Sequence, residues 1–401
     1  MSLTVFDQPQ SDRPVSSLQR LLRVPHRLYF SAGVLALLSL ALWWAVRLGV
    51  PQNSAYPAML IHAVLMPLGV FPLFMLGFIF TAGPRWLSVP PVGGHPPIAL
   101  GYLAGLLLAL AGFTQGGSWP AAGLLLMQIG WSIATLRWLQ CIQRSQVEDK
   151  RHAMRLFWAM AAGAIALMLA LLWVRSGEGM LWWQSRQVSL WAFLLPVFLI
   201  VSHRMIPFFT QSVLPQITPW RPYWLLDGWL LLSVALVPAG LVGWPLLEAT
   251  LAFVLAASLG HASWRWGLFA SFGNRLLAML HLSFAWLAPA LLLQGLSALG
   301  VQVGAAPAHA LGMGFCSTML VGFVTRVSLG HSGRTLEADQ RYWAIYLGLH
   351  GAALLRVAAA LFALPALWLH LASGLWLLLM FAWACRVLPI YWQARADGKP
   401  E

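Results

Sequence analysis

Charged residues are scarce in this sequence, and the scarcity excludes most soluble architectures. Of its 401 residues only 9% are charged, while 60% are hydrophobic. Typical soluble domains are about 25% charged and roughly 45–50% apolar. So few charges do not cover a water-exposed surface. The sequence therefore predicts a chain whose main solvent is lipid, in agreement with a mean hydropathy of +0.75.

Several chemical signatures are also missing. The three cysteines, Cys141, Cys316 and Cys385, are too few and too scattered for a disulfide framework or a cysteine-rich metal site. Phosphate-cradling loops, CxxC pairs, HExxH and nucleophile elbows are absent, which leaves hydrolase and ATPase functions without support. Residues 1–28 are polar and contain no apolar signal-peptide core, so we expect a disordered cytoplasmic tail there.

Twelve apolar stretches of spanning length follow this tail. The fold class predicted is an all-α polytopic membrane protein, with one transmembrane domain over 29–393 and a short cytoplasmic tail over 394–401. The predicted helices cover 29–49, 57–82, 97–115, 120–141, 153–175, 187–213, 222–240, 245–263, 274–299, 304–329, 342–363 and 365–389.

The basic residues indicate the orientation of these helices. With a cytoplasmic N-terminus, 20 of the 24 lysines and arginines lie on the inside; Arg47, Arg175 and Arg186 lie outside, and Arg356 lies within a helix. The positive-inside rule then places both termini on the cytoplasmic side, and we expect the membrane to be a bacterial inner membrane. Because the +13 net charge is spread singly between apolar stretches, no nucleic-acid partner is expected.

The second, sixth and tenth predicted helices resemble one another. All three run inward and end in related segments, GFIFTAGPRW, HRMIPFFT and GFVTRVSLGH. The second and tenth also begin alike, with His62-Ala63-x-x-Met66 and His309-Ala310-x-x-Met313. This favours three four-helix units, although short apolar matches also arise by chance.

Histidines dominate the ionisable groups of the predicted membrane region. Only Asp227 and Glu248 among the eleven carboxylates fall within predicted helices, near their ends. A transporter built on a buried carboxylate relay is therefore disfavoured. Eight of the eleven histidines lie in or at the ends of predicted helices: outward His62, His309 and His370, more central His350, and inward His203, His261, His281 and His331.

The most informative pair is His62 and His309. Each stands about five residues inside the outer end of its helix, so both imidazoles lie at the same depth. Two such imidazoles can ligate one heme iron if their helices are neighbours. Met66 and Met313 follow these histidines by four positions, so each lies on the same helix face as its histidine. If a heme binds there, the two methionines would line it or replace a histidine as ligand. Interhelical hydrogen bonding for the histidines and core packing for the methionines remain open alternatives.

Buried or clustered cations add further candidates. Arg356 lies in the outer half of its helix, where heme propionates would pair with it; snorkelling to the interface is the alternative. The segment with Arg326, His331 and Arg334 brings three basic groups to one small loop, as an anion site or as a topology anchor. His203 and Arg204 precede Pro207, which kinks or ends the sixth helix.

Three stretches resemble the NnrS family: GFIFTAGPRWLSVPPVGG, SHRMIPFFTQSVLP and HALGMGFCSTMLVGFVTRVSLGHSGRTL. The resemblance implies a cytoplasmic-membrane protein that binds b-type heme, and copper in some members. It also implies a role in denitrification and nitric oxide tolerance, with nitric oxide or a redox partner as interacting species.

One departure from the family concerns copper. Members carry His-x-His-Glu-Met in the second helix, whereas this chain has Val64 and Leu65 in place of the second His and the Glu. The resemblance therefore supports heme through His62 better than a second metal. The helix count also resembles heme–copper oxidases, an analogy of fold only. The outer half of the sixth helix lacks the histidine of their copper centre.

The sequence thus predicts a membrane heme protein acting on nitric oxide or nitrosyl species. Two alternatives stay open. One is a non-enzymatic transporter or assembly factor for copper or a small solute, supported by the inward histidines and fourteen methionines. The other is a structural subunit of a redox complex.

Overall fold

The computed structural model describes residues 16–49 and 56–399, which are all helical or irregular, with no strand in these two ranges. Twelve of the helices are long and apolar enough to span a membrane, as predicted. They are α1 (Pro25–Gly49), α2 (Ala58–Leu87), α3 (Pro96–Gln115), α4 (Trp119–Arg144), α5 (Arg151–Ser176), α6 (Gly179–Val213), α7 (Tyr223–Val242), α8 (Pro245–Arg265), α9 (Arg275–Ala298), α10 (Ala306–His331), α11 (Gln340–Leu361) and α12 (Ala366–Trp392).

The bounds differ most at two places. The N-terminal tail expected over residues 1–28 holds a capped helix, Ser17–Arg23, and α1 starts at Pro25; residues 1–15 lie outside the described range. The capping box between Ser16 and Gln19 favours this helix despite its polar sequence. Helix α6 begins at Gly179 rather than near 187, because its first two turns are amphipathic rather than apolar.

Proline and glycine mark where many of these helices begin and end. Proline occupies the first turn of α3, α4, α8 and α10, where its missing N–H costs nothing. Gly116, Gly177 and Gly243 follow α3, α5 and α7, the last two in the left-handed conformation. These local signals explain why adjacent spans turn back within a few residues.

Helix α2 is the most buried span, followed by α10 and then by α6 and α9. Outer helices such as α7 and α12 expose many large apolar side chains, including Leu231 and Leu378. A water-soluble protein does not tolerate so much exposed apolar surface. The inner helices therefore form the core, and the outer ones face the bilayer.

We call the end of the bundle where α1 begins and α12 ends the basal end, and the opposite end the apical end. Helices α2, α6 and α10 start at the apical end. Each contains a π-helical segment in its apical half, Met66–Val70, Val188–Leu194 and Ala310–Ser317. Such segments are rare and concentrate at functional sites. The feature is shared by the three helices that the sequence predicts to be related.

Candidate functional site

His62 and His309 meet at the apical end of the core. His62 lies one turn before the π-helical segment of α2, and His309 directly precedes that of α10. The two imidazole centroids are 6.5 Å apart and the ring planes are 12° from parallel. Both side chains are partly buried. The proximity that heme ligation requires is therefore present.

Each histidine of this pair keeps one ring nitrogen that is available to a metal. His309 Nδ1 donates to the Ala305 carbonyl at 2.8 Å, so in the neutral imidazole the lone pair is on Nε2. This second hydrogen bond is what orients a metal-bound histidine. His62 Nδ1 is buried and has no hydrogen-bond partner. A buried polar atom without a partner is uncommon and calls for a ligand or ion as explanation.

Three side chains complete the apical site. The indole of Trp44 stacks on His62 with centroids 4.2 Å apart, which covers a ring face and leaves the ring edges free. Arg356 interacts electrostatically with both imidazoles, and Arg186 of α6 with His309. Arg356 Nε is buried without a hydrogen-bond partner. The site thus combines two imidazoles with two guanidinium groups, of which Arg186 also interacts with the Glu248 carboxylate.

These residues fit a heme group better than a bare metal ion. Neutral imidazole nitrogens are common ligands of first-row metals, and these two rings, with centroids 6.5 Å apart, are close enough that both could hold one metal centre. Two imidazoles are too few for a four-coordinate protein site, and no group of three histidines, cysteines or carboxylates occurs in the described parts of the chain. A porphyrin supplies the remaining ligands, and its propionates would pair with Arg356.

The family assignment rests on most of the chain. The model of the NnrS protein family matches residues 20–395. The chain belongs to the NnrS family. No curated protein matches it.

The two NnrS-motif methionines pack against the hydrophobic core. Met66 starts the π-helical segment of α2, and Met313 lies within that of α10. Both are partly buried beside core side chains. The wider π turn also breaks the four-residue register on which a shared face with His309 depends. Core packing therefore accounts for both residues.

Val64 and Leu65 replace the second His and the Glu of the family pattern, and both side chains are fully buried in the core. No metal-binding atom is available at these two positions. His62 itself is retained, and its ring lies beside that of His309.

Two further histidines of this NnrS protein lie away from the apical pair. His350 Nδ1 accepts from Trp286 Nε1 at 2.8 Å, and its Nε2 is buried without a partner. His370 is exposed and contacts the carbonyls of Ala366 and Leu48. His350 packs beside the π-helical segment of α10, whereas His370 ties α12 to α1.

The basal histidines have different environments. His281 is buried and its Nε2 donates to Thr210 at 2.9 Å, which describes a satisfied core histidine. His261 is exposed between two indoles, Trp220 and Trp264. His203 is fully buried and hydrogen-bonded to a second histidine, His152.

The basal loop corrects one prediction. Arg326, His331 and Arg334 do not converge; their side chains point to three different neighbours. Arg326 lies over Phe209 at 4.1 Å, the His331 ring is 4.7 Å from that of His26, and Arg334 donates to Gln393 at 2.5 Å. The helix continues to His331, so residues five positions apart project on different faces.

Arg204, the remaining basal candidate, lies over the Trp86 ring at 4.6 Å. This cation–π contact joins the basal ends of α6 and α2. It gives Arg204 a structural role at the helix ends.

Sequence reasoning missed His152, because it stands at the extreme start of α5 and was counted with the loop. The available signal was its position beside Lys150 and Arg151, which places it at the same end as His203. Its other partner, Tyr223, carries no signal of its own in the sequence.

An apolar cavity of about 60 Å³ lies between α1, α2, α6 and α10. Six phenylalanines and three methionines line it, with Met75, Met205 and Met319 contributed by α2, α6 and α10. Its volume exceeds the roughly 10–15 Å³ that one water-sized molecule needs, and apolar cavities of this kind stay dry. The space suits a small, weakly polar molecule.

Proposed function

We propose that this NnrS protein is an integral membrane heme protein of the nitric oxide response, held in the bacterial cytoplasmic membrane with its basal end in the cytoplasm. The observation that carries the proposal is the apical pair of near-parallel imidazoles beside the partnerless Arg356 Nε. The basic residues at the basal end support the orientation by the positive-inside rule.

The apical residues have distinct roles in this proposal. His62 and His309 hold the heme iron, and the Ala305 carbonyl fixes the ring of His309. Arg356 binds a propionate, which neutralises a guanidinium inside the membrane. Trp44 limits the rotation of His62 by stacking on it. Heme held by these residues would supply one-electron redox chemistry.

The central cavity supports nitric oxide as the molecule handled. Its lining is almost entirely apolar, and it lies between the same three helices that carry the π-helical segments. A small neutral gas partitions into such a space without losing hydrogen bonds. A charged substrate would have no partner in it.

A pyridine hemochrome assay with metal analysis on the detergent-purified protein tests the proposal. We expect about one heme per chain in the wild type. In the double variant with His62→Ala and His309→Ala the heme content should fall at least roughly tenfold, because losing even an outer-shell partner of a metal ligand has an effect of that order. His370→Ala is the matched control, since it removes an exposed apical histidine and leaves heme content unchanged.

Wild-type protein without heme, or a double variant that retains it, contradicts the proposal. Copper bound in place of heme, in an amount that depends on His203 and His281, would instead support the transport or assembly alternative. The same preparation therefore distinguishes the two functions.

A further inference from the structure

A chain of hydrogen bonds runs from the basal surface into the core. It starts at Asp149, in the loop between α4 and α5, whose side chain is 46% exposed. Asp149 Oδ2 lies 2.7 Å from Tyr223 Oη, which lies 2.9 Å from His152 Nδ1. His152 Nε2 lies 3.1 Å from His203 Nδ1, and His203 Nε2 lies 3.2 Å from the Pro222 carbonyl. The two imidazoles are 4% and 0% exposed.

The protons in this chain can be counted. A carbonyl only accepts, so His203 must donate to Pro222, and its other nitrogen, if neutral, accepts from His152. The second nitrogen of a neutral His152 then accepts from the Tyr223 hydroxyl. The tyrosine has no proton left for Asp149. Two neutral imidazoles and one hydroxyl hold three protons, whereas the chain contains four hydrogen bonds.

The count does not depend on the tautomer of either ring, because each neutral imidazole carries one N–H proton and uses both of its nitrogens once. One additional proton is needed to close the chain when Asp149 is ionised. Without it, two lone pairs face each other, either across 2.7 Å at the exposed Asp149–Tyr223 contact or across 2.9 Å at the partly buried Tyr223–His152 contact, which is unfavourable.

We propose that Asp149, Tyr223, His152 and His203 form a proton-binding relay that takes up one proton from the basal solution and carries it to the buried imidazole pair. All contacts of the relay lie at the basal end, and the relay does not depend on heme at the apical site.

The transfer balances without any other reactant. A proton from water binds Asp149; the carboxyl proton passes to Tyr223, the hydroxyl proton to His152 Nδ1, and the His152 Nε2 proton to His203 Nδ1. All three inner hydrogen bonds reverse, the Pro222 bond is kept, and Asp149 returns to its anionic form. The positive charge then rests on His203.

The charged groups around the pair set the pH at which this occurs. The Arg151 guanidinium donates to Asp149 at 3.0 and 3.2 Å and holds the pKa of that carboxyl well below its usual range. The carboxyl therefore does not retain the proton, and the relay delivers it to the imidazole pair, where burial opposes the added charge. The other charges that act on it are Arg155 and Asp227, which pair with each other, and Arg204 and Arg221. Three guanidinium groups, those of Arg155, Arg204 and Arg221, oppose the added proton, and two carboxylates favour it.

The test is solid-state NMR of the full-length protein labelled with ¹⁵N-histidine, in lipid vesicles between about pH 8 and pH 5. We expect an imidazolium signal that disappears in His152→Gln, which assigns it. Tyr223→Phe breaks the link to Asp149 and lowers the midpoint of the signal by about one pH unit, a tenfold loss of proton affinity. His261→Gln removes an exposed histidine on α8 as a control and leaves the midpoint unchanged.

Asp149→Asn tests the midpoint of the imidazolium signal independently of the buried residues, because it alters only a surface side chain. Its amide N–H donates to Tyr223 and closes the chain without an added proton, so the midpoint falls as in Tyr223→Phe. An unchanged midpoint in either folded variant, or a wild-type protein whose His152 and His203 stay neutral down to pH 5, would overturn the proposal.

Discussion

The apical and basal histidine pairs differ in how their nitrogens are satisfied. At the apical end His62 Nδ1 has no partner and His309 makes one backbone hydrogen bond. At the basal end both nitrogens of His152 and of His203 are engaged. The apical pair thus has a lone pair to offer the proposed heme site, whereas the basal pair is already joined in the chain of hydrogen bonds that we propose takes up a proton.

The largest expected effect compares these two pairs directly. His152→Gln with His203→Gln leaves heme content unchanged, whereas His62→Ala with His309→Ala lowers it at least roughly tenfold. The physical reason is that, of the two pairs, only the apical one has a buried ring nitrogen without a hydrogen-bond partner. The hemochrome assay on both double variants measures the contrast.

The reciprocal measurement completes that comparison. The apical double variant keeps the proton-uptake midpoint of the basal pair. Equal loss of heme from both double variants would show that packing of the bundle, and not ligation, controls heme retention.

A smaller effect concerns Arg356. Arg356→Met removes a guanidinium whose Nε is buried without a partner, so the heme-free protein gains about 1–3 kcal/mol of stability. Heme affinity falls roughly 10-fold, because the propionate partner is lost. Thermal unfolding and heme titration measure the two changes.

Arg175→Met is the matched control for Arg356, since it removes an exposed arginine at the same end. It is expected to change neither quantity. If Arg356→Met destabilises the heme-free protein, the guanidinium has a structural partner and the apical site is not poised for an anion.

The smallest expected effect concerns Asp339 at the basal end. Burial alone would raise the pKa of Asp339, but the Tyr342 backbone N–H and Arg386 outweigh it and lower that pKa. A lowered pKa stabilises the fold above the unfolded value of about 3.9, and the stabilisation is lost as pH falls through the folded value. Asp339→Asn keeps the helix cap and removes the charge.

Thermal unfolding as a function of pH measures this effect. We expect Asp339→Asn to cost about 0.2–1 kcal/mol at pH 7, towards the low end because the side chain is 54% exposed. The cost disappears as the pH falls through the lowered pKa of Asp339. Glu337→Gln, which removes the same charge two residues away, is the control; an equal loss would indicate a general charge effect.

The sequence predicted the spans well and led us to expect His62 and His309 at the same depth, both for local reasons. Hydropathy over about 20 residues locates a helix in lipid, and 1.5 Å per residue locates His62 and His309 along it. The basal site was largely missed. His152, Tyr223 and Asp149 come from two helices and a loop, and their meeting depends on how α5, α6 and α7 pack.

The sequence also did not predict the directions in which neighbouring side chains point. Arg326 and His331 are near in sequence, yet one contacts Phe209 and the other His26. The π-helical segments also change the rotation per residue, which the α-helical pattern used for Met313 does not include.

The amino-acid sequence by itself determined the membrane architecture, because the free energy of placing a segment in lipid depends on that segment's own composition. Only the tertiary structure decided which nitrogens find a partner and which stay free. A hydrogen bond requires two groups within about 3 Å, and that distance is set by the packing of helices far apart in the chain.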